Sequence, residues 1–307
     1  MRKFLIDTDT ASDDAVALVM ALRQPDIDVK AITVVAGNVP LPLAVQNALY
    51  TAELCGAEVP VYAGCAKPLL RDLETAEDVH GRDGLGDIGL PLQGRAPAMG
   101  HAADALRKVI NDNRGDITLV TLGPLTNVAL ALLREPELAQ RVSHCWIMGG
   151  IGAGHGNVTP TAEFNIWVDP EAAKIVYESG MNMTMVGWDI SWKYATFDEA
   201  QAAEIRRIGT PLAEFVIDIQ ATLTEFSMRE NALPGFDLPD PITMAAAIDP
   251  SIAEYKTLRV DVTTGDGLAR GITVPDVLGV SGRAPQMRVA TKANREAFVN
   301  MLKRSVM

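Results

Sequence analysis

One stretch, Lys3-Phe4-Leu5-Ile6-Asp7-Thr8-Asp9-Thr10-Ala11-Ser12-Asp13-Asp14-Ala15-Val16-Ala17-Leu18, constrains this chain more than any other. Phe4 to Ile6 is an apolar run of the kind that forms a buried strand. Ala15, Leu18, Val19 and Leu22 then recur at helical spacing. A strand that passes through a polar turn into a helix is a building unit of α/β sheets, and ligands of open sheets bind at the carboxyl ends of the strands. Four carboxylates gathered at that handover raise one another's pKa unless something positive lies between them. A hard divalent cation with oxygen ligands is the natural counter-charge. Helix capping and dipole complementarity account for Ser12, Asp13 and Asp14, but not for Asp7 and Asp9 on the strand side.

The chain has 307 residues and is 48% hydrophobic, enough for one large α/β domain or two ordinary ones. It has no Ser/Gly/Pro-rich linker and no internal repeat, so residues 1–307 are expected to form one domain. No apolar run is long enough to cross a bilayer. Met1-Arg2-Lys3 leads directly into the first strand without a signal-peptide cleavage region. Cys55, Cys65 and Cys145 have no C-x-x-C spacing and make no disulfide framework. Reduced cysteines and a cytoplasmic location are therefore expected. A net charge of −12 argues against DNA or RNA as partner and is compatible with a neutral small substrate.

Further along, Val29 to Val35 predicts a second strand ending in Ala36-Gly37-Asn38. Asn38 then falls on the same sheet edge as the aspartates, although Asn after Gly is also a common turn. Pro42 to Cys55 reads as a helix and Val59 to Tyr62 as a short strand. Between Gly64 and Gly100 the periodicity is weak, and a loop this long is usually functional or mobile. It contains Asp78-Val79-His80-Gly81, where His80 alone is equally a surface residue. A helix over His101 to Asn113 and a strand over Asp116 to Thr121 lead to Leu122-Gly123-Pro124-Leu125-Thr126-Asn127 and another helix. Ser143 to Met148 is a strand, followed by alternating glycines from Gly149 to Gly156. A dinucleotide fingerprint would open directly into a helix, and Val158-Thr159-Pro160 intervenes. The glycines instead let the backbone run close to a ligand. Met183 to Trp188 reads as a strand, and Phe197 to Ile208 and Pro211 to Arg229 as helices. The strands Tyr255 to Val262, Gly271 to Val274 and Gln286 to Val289 and the helix Asn294 to Lys303 complete the chain.

Two familiar metal motifs can be tested against the first stretch. An EF-hand starting at Asp7 needs an acid or amide, Gly and Glu at its fifth, sixth and twelfth positions, where this chain has Ala11, Ser12 and Leu18. Haloacid-dehalogenase-type phosphatases also open with a strand and Asp-x-Asp. They usually carry Thr or Val where Ala11 stands, and their later pair of magnesium-binding acids has no convincing counterpart. The run instead resembles the Asp-x-Asp-x-x-x-Asp-Asp signature of the inosine-uridine-preferring nucleoside hydrolases. That resemblance extends to Leu122-Gly123-Pro124-Leu125-Thr126-Asn127, to Ala162-Glu163-Phe164-Asn165 followed by Asp169-Pro170-Glu171-Ala172-Ala173, and to Asp240-Pro241 opening an apolar helix.

The resemblance covers essentially the whole chain and implies a single α/β domain with an open, mostly parallel sheet. It implies one bound calcium and hydrolysis of ribonucleosides to ribose and free base. By resemblance Asp9, Asp14, Asp240 and the Leu122 carbonyl are the metal ligands, and Asp9 is also the general base. Asp13, Asn38, His80, Asn157, Glu163 and Asn165 contact the substrate, and Asp7 supports Asp9 from behind. Carboxylates and carboxamides suit sugar hydroxyls, which both donate and accept. Asp169 reads simply as a helix N-cap. Glycosidic cleavage makes the ribose cationic as the base departs, which an acidic pocket stabilises. Trp188, Trp192 and Phe226 are candidates to stack on the base. Many family members carry His or Trp directly before the last Asp, where this chain has Pro239, which leaves base preference and leaving-group activation open. Family members are commonly homodimers or homotetramers. Two alternatives stand beside this reading: a phosphatase using Asp7 and magnesium, and a calcium-dependent nucleoside or ribose binder without catalysis.

Overall fold

The computed structural model describes residues 1–307. The strand β1 (Arg2–Thr8) is buried from Phe4 onward and hands over to α1 (Ser12–Leu22). The next elements are β2 (Ile27–Val34), α2 (Leu41–Leu54) and β3 (Val61–Ala63). A long irregular connection, interrupted only by the short helix α3 (Glu77–His80), leads to α4 (Ala102–Asp112). Then follow β4 (Ile117–Thr121), α5 (Thr126–Arg134), β5 (His144–Met148), α6 (Phe164–Val168) and α7 (Pro170–Tyr177). After β6 (Met183–Val186) the chain forms α8 (Trp188–Tyr194), β7 (Thr196–Asp198), α9 (Glu199–Arg206), α10 (Pro211–Asp218) and α11 (Ala221–Glu230). The last part is β8 (Gly235–Asp237), α12 (Pro239–Ile248), β9 (Ala253–Val262), β10 (Thr273–Asp276), β11 (Met287–Ala293) and α13 (Arg295–Ser305).

Nine strands form one sheet in the order β10-β9-β11-β6-β5-β4-β1-β2-β3, and β7 and β8 form a separate antiparallel pair. From β11 to β3 every neighbour is parallel, while β9 and β10 run antiparallel at one edge. The chain winds outward from β1 through β2 and β3, then returns to β1's other side and winds through β4, β5 and β6. The order therefore reverses between β1 and β4, which opens a crevice at their carboxyl ends. Apolar side chains fill a layer on each face of the sheet. One layer includes Leu18, Val45 and Met244 from α1, α2 and α12; the other includes Leu106, Leu132 and Val176 from α4, α5 and α7. Parallel strands covered on both faces need such near-continuous apolar runs.

Several boundaries differ from the sequence expectation, each for a local reason. The strand expected to reach Trp188 stops at Val186, because Gly187 is the N-cap of α8. The helix expected from Phe197 starts at Glu199: Thr196–Asp198 pairs with β8, and Asp198 caps α9 reciprocally with Gln201. The helix expected over Pro211 to Arg229 is two helices. At the break, Gln220 turns its amide inward to the Ser12 carbonyl at 3.0 Å, tying this segment to the start of α1.

Asp169 is the N-cap the sequence suggested, and it does more than cap. Its carboxylate accepts from Ala172 N at 3.0 Å, Thr126 Oγ1 at 2.7 Å and Leu69 N at 2.9 Å, joining α7, α5 and the long connection. Asp169→Ala is expected to cost about 2 kcal/mol of stability, since it removes a cap and strands buried donors. Urea unfolding followed by tryptophan fluorescence measures this.

Candidate active site

The crevice between β1 and β4 holds the aspartates. Asp7, next to last in β1, has Oδ1 accepting from Thr33 Oγ1 at 2.5 Å and from Asn127 Nδ2 at 2.9 Å. Burial pushes its pKa up to about 7. Asp9 lies one turn of chain further, fully buried, with Oδ2 accepting from the Asn38 backbone N–H at 2.6 Å. Two glycines make room for this carboxylate. A Cβ on Gly37 would stand 2.2 Å from Asp9 Oδ2, and one on Gly123 would stand 2.5 Å from Asp9 Oδ1. Thus the turns after β2 and β4 close on Asp9. Leu122 N donates to Asp7 O at 2.8 Å, and its carbonyl accepts from Asn165 Nδ2 at 2.8 Å.

Asp14 does cap: Oδ2 accepts from Ala11 N at 2.9 Å, while Thr8 Oγ1 donates to Oδ1 at 2.5 Å. Capping does not account for its neighbours. Asp240 is not an N-cap either, because that position belongs to Leu238. Asp13, Asp14 and Asp240 each bring one oxygen within 4.8 Å of the others. Asp9 stands beside this trio and raises the pKa of Asp240 along with Asp14 and Asp13, although burial is the larger cause. Burial, then Asp14 and Asp13, holds Asp9 well above the usual carboxylate range.

Asp9 Oδ1, Asp13 Oδ1 and Asp240 Oδ1 are buried without a hydrogen-bond donor. No lysine or arginine lines the cavity above them. Orphaned oxygens on buried acids, with no organic cation in reach, fit a hard divalent ion. This is a metal-binding aspartate cluster.

The cavity, of about 360 Å³, rises from Asp13, Asp240 and Leu122. Glu163, Asn165, Asn157, Asn38 and His80 all line it, so the sequence-selected residues converge there. Their surroundings differ. Glu163 is buried and its oxygens accept from the backbone N–H groups of Gly150, Asn165 and Ile166, which caps α6 and clamps the glycine-rich turn. Asn157 is exposed on its loop and its Oδ1 accepts from Phe164 N at 3.0 Å. His80 is buried, with Nδ1 2.9 Å from Ser12 Oγ, and burial pushes its pKa down to about 4, so the ring is neutral. Asp7, Asp9 and Asp14 lie outside the cavity lining and are fully buried.

Of the three aromatic candidates, Phe226 and Trp188 line the cavity and Trp192 does not. One helical turn beyond Trp188, the Trp192 ring packs behind it at 5.0 Å and against His155 at 4.9 Å. Three contributors were not singled out from the sequence: Ser12, Gln220 and Asp237. Polar residues of this kind become site residues only through contacts made far along the chain.

A doubly wound sheet with an acid-lined cavity at its switch point defines an α/β enzyme that handles a small polar ligand through a metal ion. Residues 4–300 match the inosine-uridine preferring nucleoside hydrolase family, and the chain belongs to that family. It is 39% identical over 300 residues to the pyrimidine-specific ribonucleoside hydrolase RihA of Salmonella schwarzengrund, covering 97% of this chain and 96% of that one. A plant nucleoside hydrolase, PpNRh1, superposes with a TM-score of 0.93 at 35% identity over 99% of both chains. A purine-preferring ribonucleoside hydrolase from Gardnerella vaginalis gives 0.92 at 30% identity, covering 99% of this chain and 98% of that one. The chain is accordingly a ribonucleoside hydrolase. The phosphatase alternative falls with this finding.

Two outcomes follow from the crowded acids. Gly123→Ala displaces the Asp9 carboxylate and is expected to lower turnover about a hundredfold with the fold retained by circular dichroism. Stripping divalent ions with EDTA is expected to lower the thermal midpoint by roughly 5 °C, with recovery when the ion is returned, because an ion that binds only the folded cluster stabilises it. Differential scanning calorimetry measures both limbs.

Proposed function

We propose that this protein cleaves the N-glycosidic bond of ribonucleosides in a calcium-dependent reaction, releasing ribose and the free base for salvage. One observation carries the reading: Asp240, from the far part of the chain, meets Asp13 and Asp14 in the first turn of α1. Asp9, Asp14, Asp240 and the Leu122 carbonyl are assigned to the ion. When bound, calcium would keep the acids ionised, hold two vicinal ribose hydroxyls and lower the pKa of a water.

The chain's own residues supply the rest. Asp9 accepts a proton from the attacking water. Asp13, which faces the cavity and comes 3.8 Å from His80 Nδ1, is assigned to a ribose hydroxyl. Asn38, Asn157, Glu163 and Asn165 orient the sugar, and neutral His80 offers a hydrogen bond rather than a charge. Asp7 holds the floor under Asp9 through Thr33 and Asn127. As the C1′–N bond breaks, its electron pair leaves with the base and positive charge grows on the ribose, which the buried acids stabilise.

Pro239 can neither protonate nor stack on a departing base, so the leaving group must be met by other residues of the cavity. Incubation with inosine and with uridine, read as free ribose, tests the reaction and shows which base is preferred. Assembly as a homodimer or homotetramer, a single domain over residues 1–307 and a cytoplasmic setting belong to the same proposal. The family resemblance supports the first, and three unpaired cysteines support the last. In Asp9→Asn protein that folds and retains its metal, kcat is expected to fall roughly 10²- to 10⁴-fold. Near-normal turnover in steady-state assays counts against Asp9 as the base.

A further inference from the structure

The acid floor accounts for the ribose end of the cavity and leaves one buried carboxyl of its lining unused. Asp237 is only 4% exposed, yet it lines the cavity. It closes β8, whose backbone is fixed by antiparallel pairing with β7. β8 in turn packs against α11, the helix that brings Phe226 and Ser227 to the cavity. On its other side, the charge of Asp237 bears on Asp13. Asp237 therefore occupies the seam between the acid floor and the α11 wall, where a sugar seated on the floor would direct its leaving group.

Its hydrogen bonding is incomplete. Ser191 Oγ donates to Oδ2 at 2.7 Å, and the Trp188 indole and the residue's own backbone N–H also stabilise the carboxylate. Three donors still leave about one of a carboxylate's roughly four acceptor positions open. A buried acceptor with open positions gains from a ligand that brings an N–H. The buried Ser227 Oγ also lacks a partner, but a hydroxyl donates as readily as it accepts, and the other neighbouring groups on this wall have less to offer. His80 has one ring nitrogen engaged by Ser12, Asp78 is exposed and hydrated, and Pro239 carries no N–H.

We infer that Asp237 is a specificity residue for the leaving group, accepting a hydrogen bond from a ring N–H or amino group of the nucleobase once the ribose is seated. The inference rests on the proposed nucleoside hydrolysis and names the class of leaving group that the wall selects.

The test compares kcat/KM at pH 8, above the Asp237 pKa that burial pushes up to about 6. Two substrates are used: whichever of uridine and inosine the wild type turns over faster, and 4-nitrophenyl riboside, whose leaving group has no N–H. In Asp237→Ala the ratio of nucleoside to nitrophenyl riboside is expected to fall about ten- to a hundredfold, mostly through KM for the nucleoside. The isosteric Asp237→Asn moves the ratio in the same direction by a smaller factor and guards against a misfolded alanine variant. Equal losses on both substrates, or an unchanged ratio in both variants, overturns the assignment of Asp237. Wild-type protein that releases ribose from neither substrate overturns the hydrolase reading instead.

Discussion

Like charges held together out of water govern this structure. Asp9, Asp13, Asp14 and Asp240 are all buried, and each is pushed toward protonation first by that burial; other members of the cluster push Asp9, Asp14 and Asp240 further, and Asp237 does so for Asp13. A chain folding around such a cluster must hold it by covalent and hydrogen-bonded scaffolding until a cation arrives. Three of the four acids come from a single strand-to-helix handover, so most of the crowding is local. Only Asp240 must be delivered by tertiary packing, and α12, which carries it, lies directly against α1.

The scaffold around the acids is almost wholly neutral. Thr8, Thr33, Asn38 and Asn127 donate to Asp14, Asp7, Asp9 and Asp7 respectively. Neutral donors orient a carboxylate without cancelling its charge, which keeps the site's attraction for a divalent ion. Arginines are kept to the periphery. Arg71 forms a bidentate pair with Glu171 and reaches Asp266, while Arg270 lies 3.7 Å over the Trp167 ring and pairs with Glu74. Both pin the long connection that carries His80 to the body of the protein, leaving the cavity without a competing cation.

Much of this was legible from local patterns. The apolar run before Asp7 and the helical spacing after Asp14 marked β1 and α1, and the strands that end at Val34, Thr121 and Met148 followed from similar runs. Boundaries failed where a polar cap or a small pairing overrode hydrophobic periodicity. Asp198 and Gln201 moved the start of α9, Gly187 ended β6, and Gln220 broke one expected helix into two. Trp192 went astray for a related reason: periodicity says that an aromatic is on a helix face, not whether another ring stands in front of it.

The sequence by itself determined the alternation of strand and helix and the crowd of acids where the first strand ends, because both depend on spacing along a few neighbouring residues. The tertiary structure alone decided that Gly37 and Gly123 close on Asp9, that Glu163 spends its oxygens on backbone N–H groups, and that Asp237 faces the cavity from a strand paired far from the main sheet. Those outcomes depend on which surfaces meet, and no local spacing encodes the partner of a buried polar group.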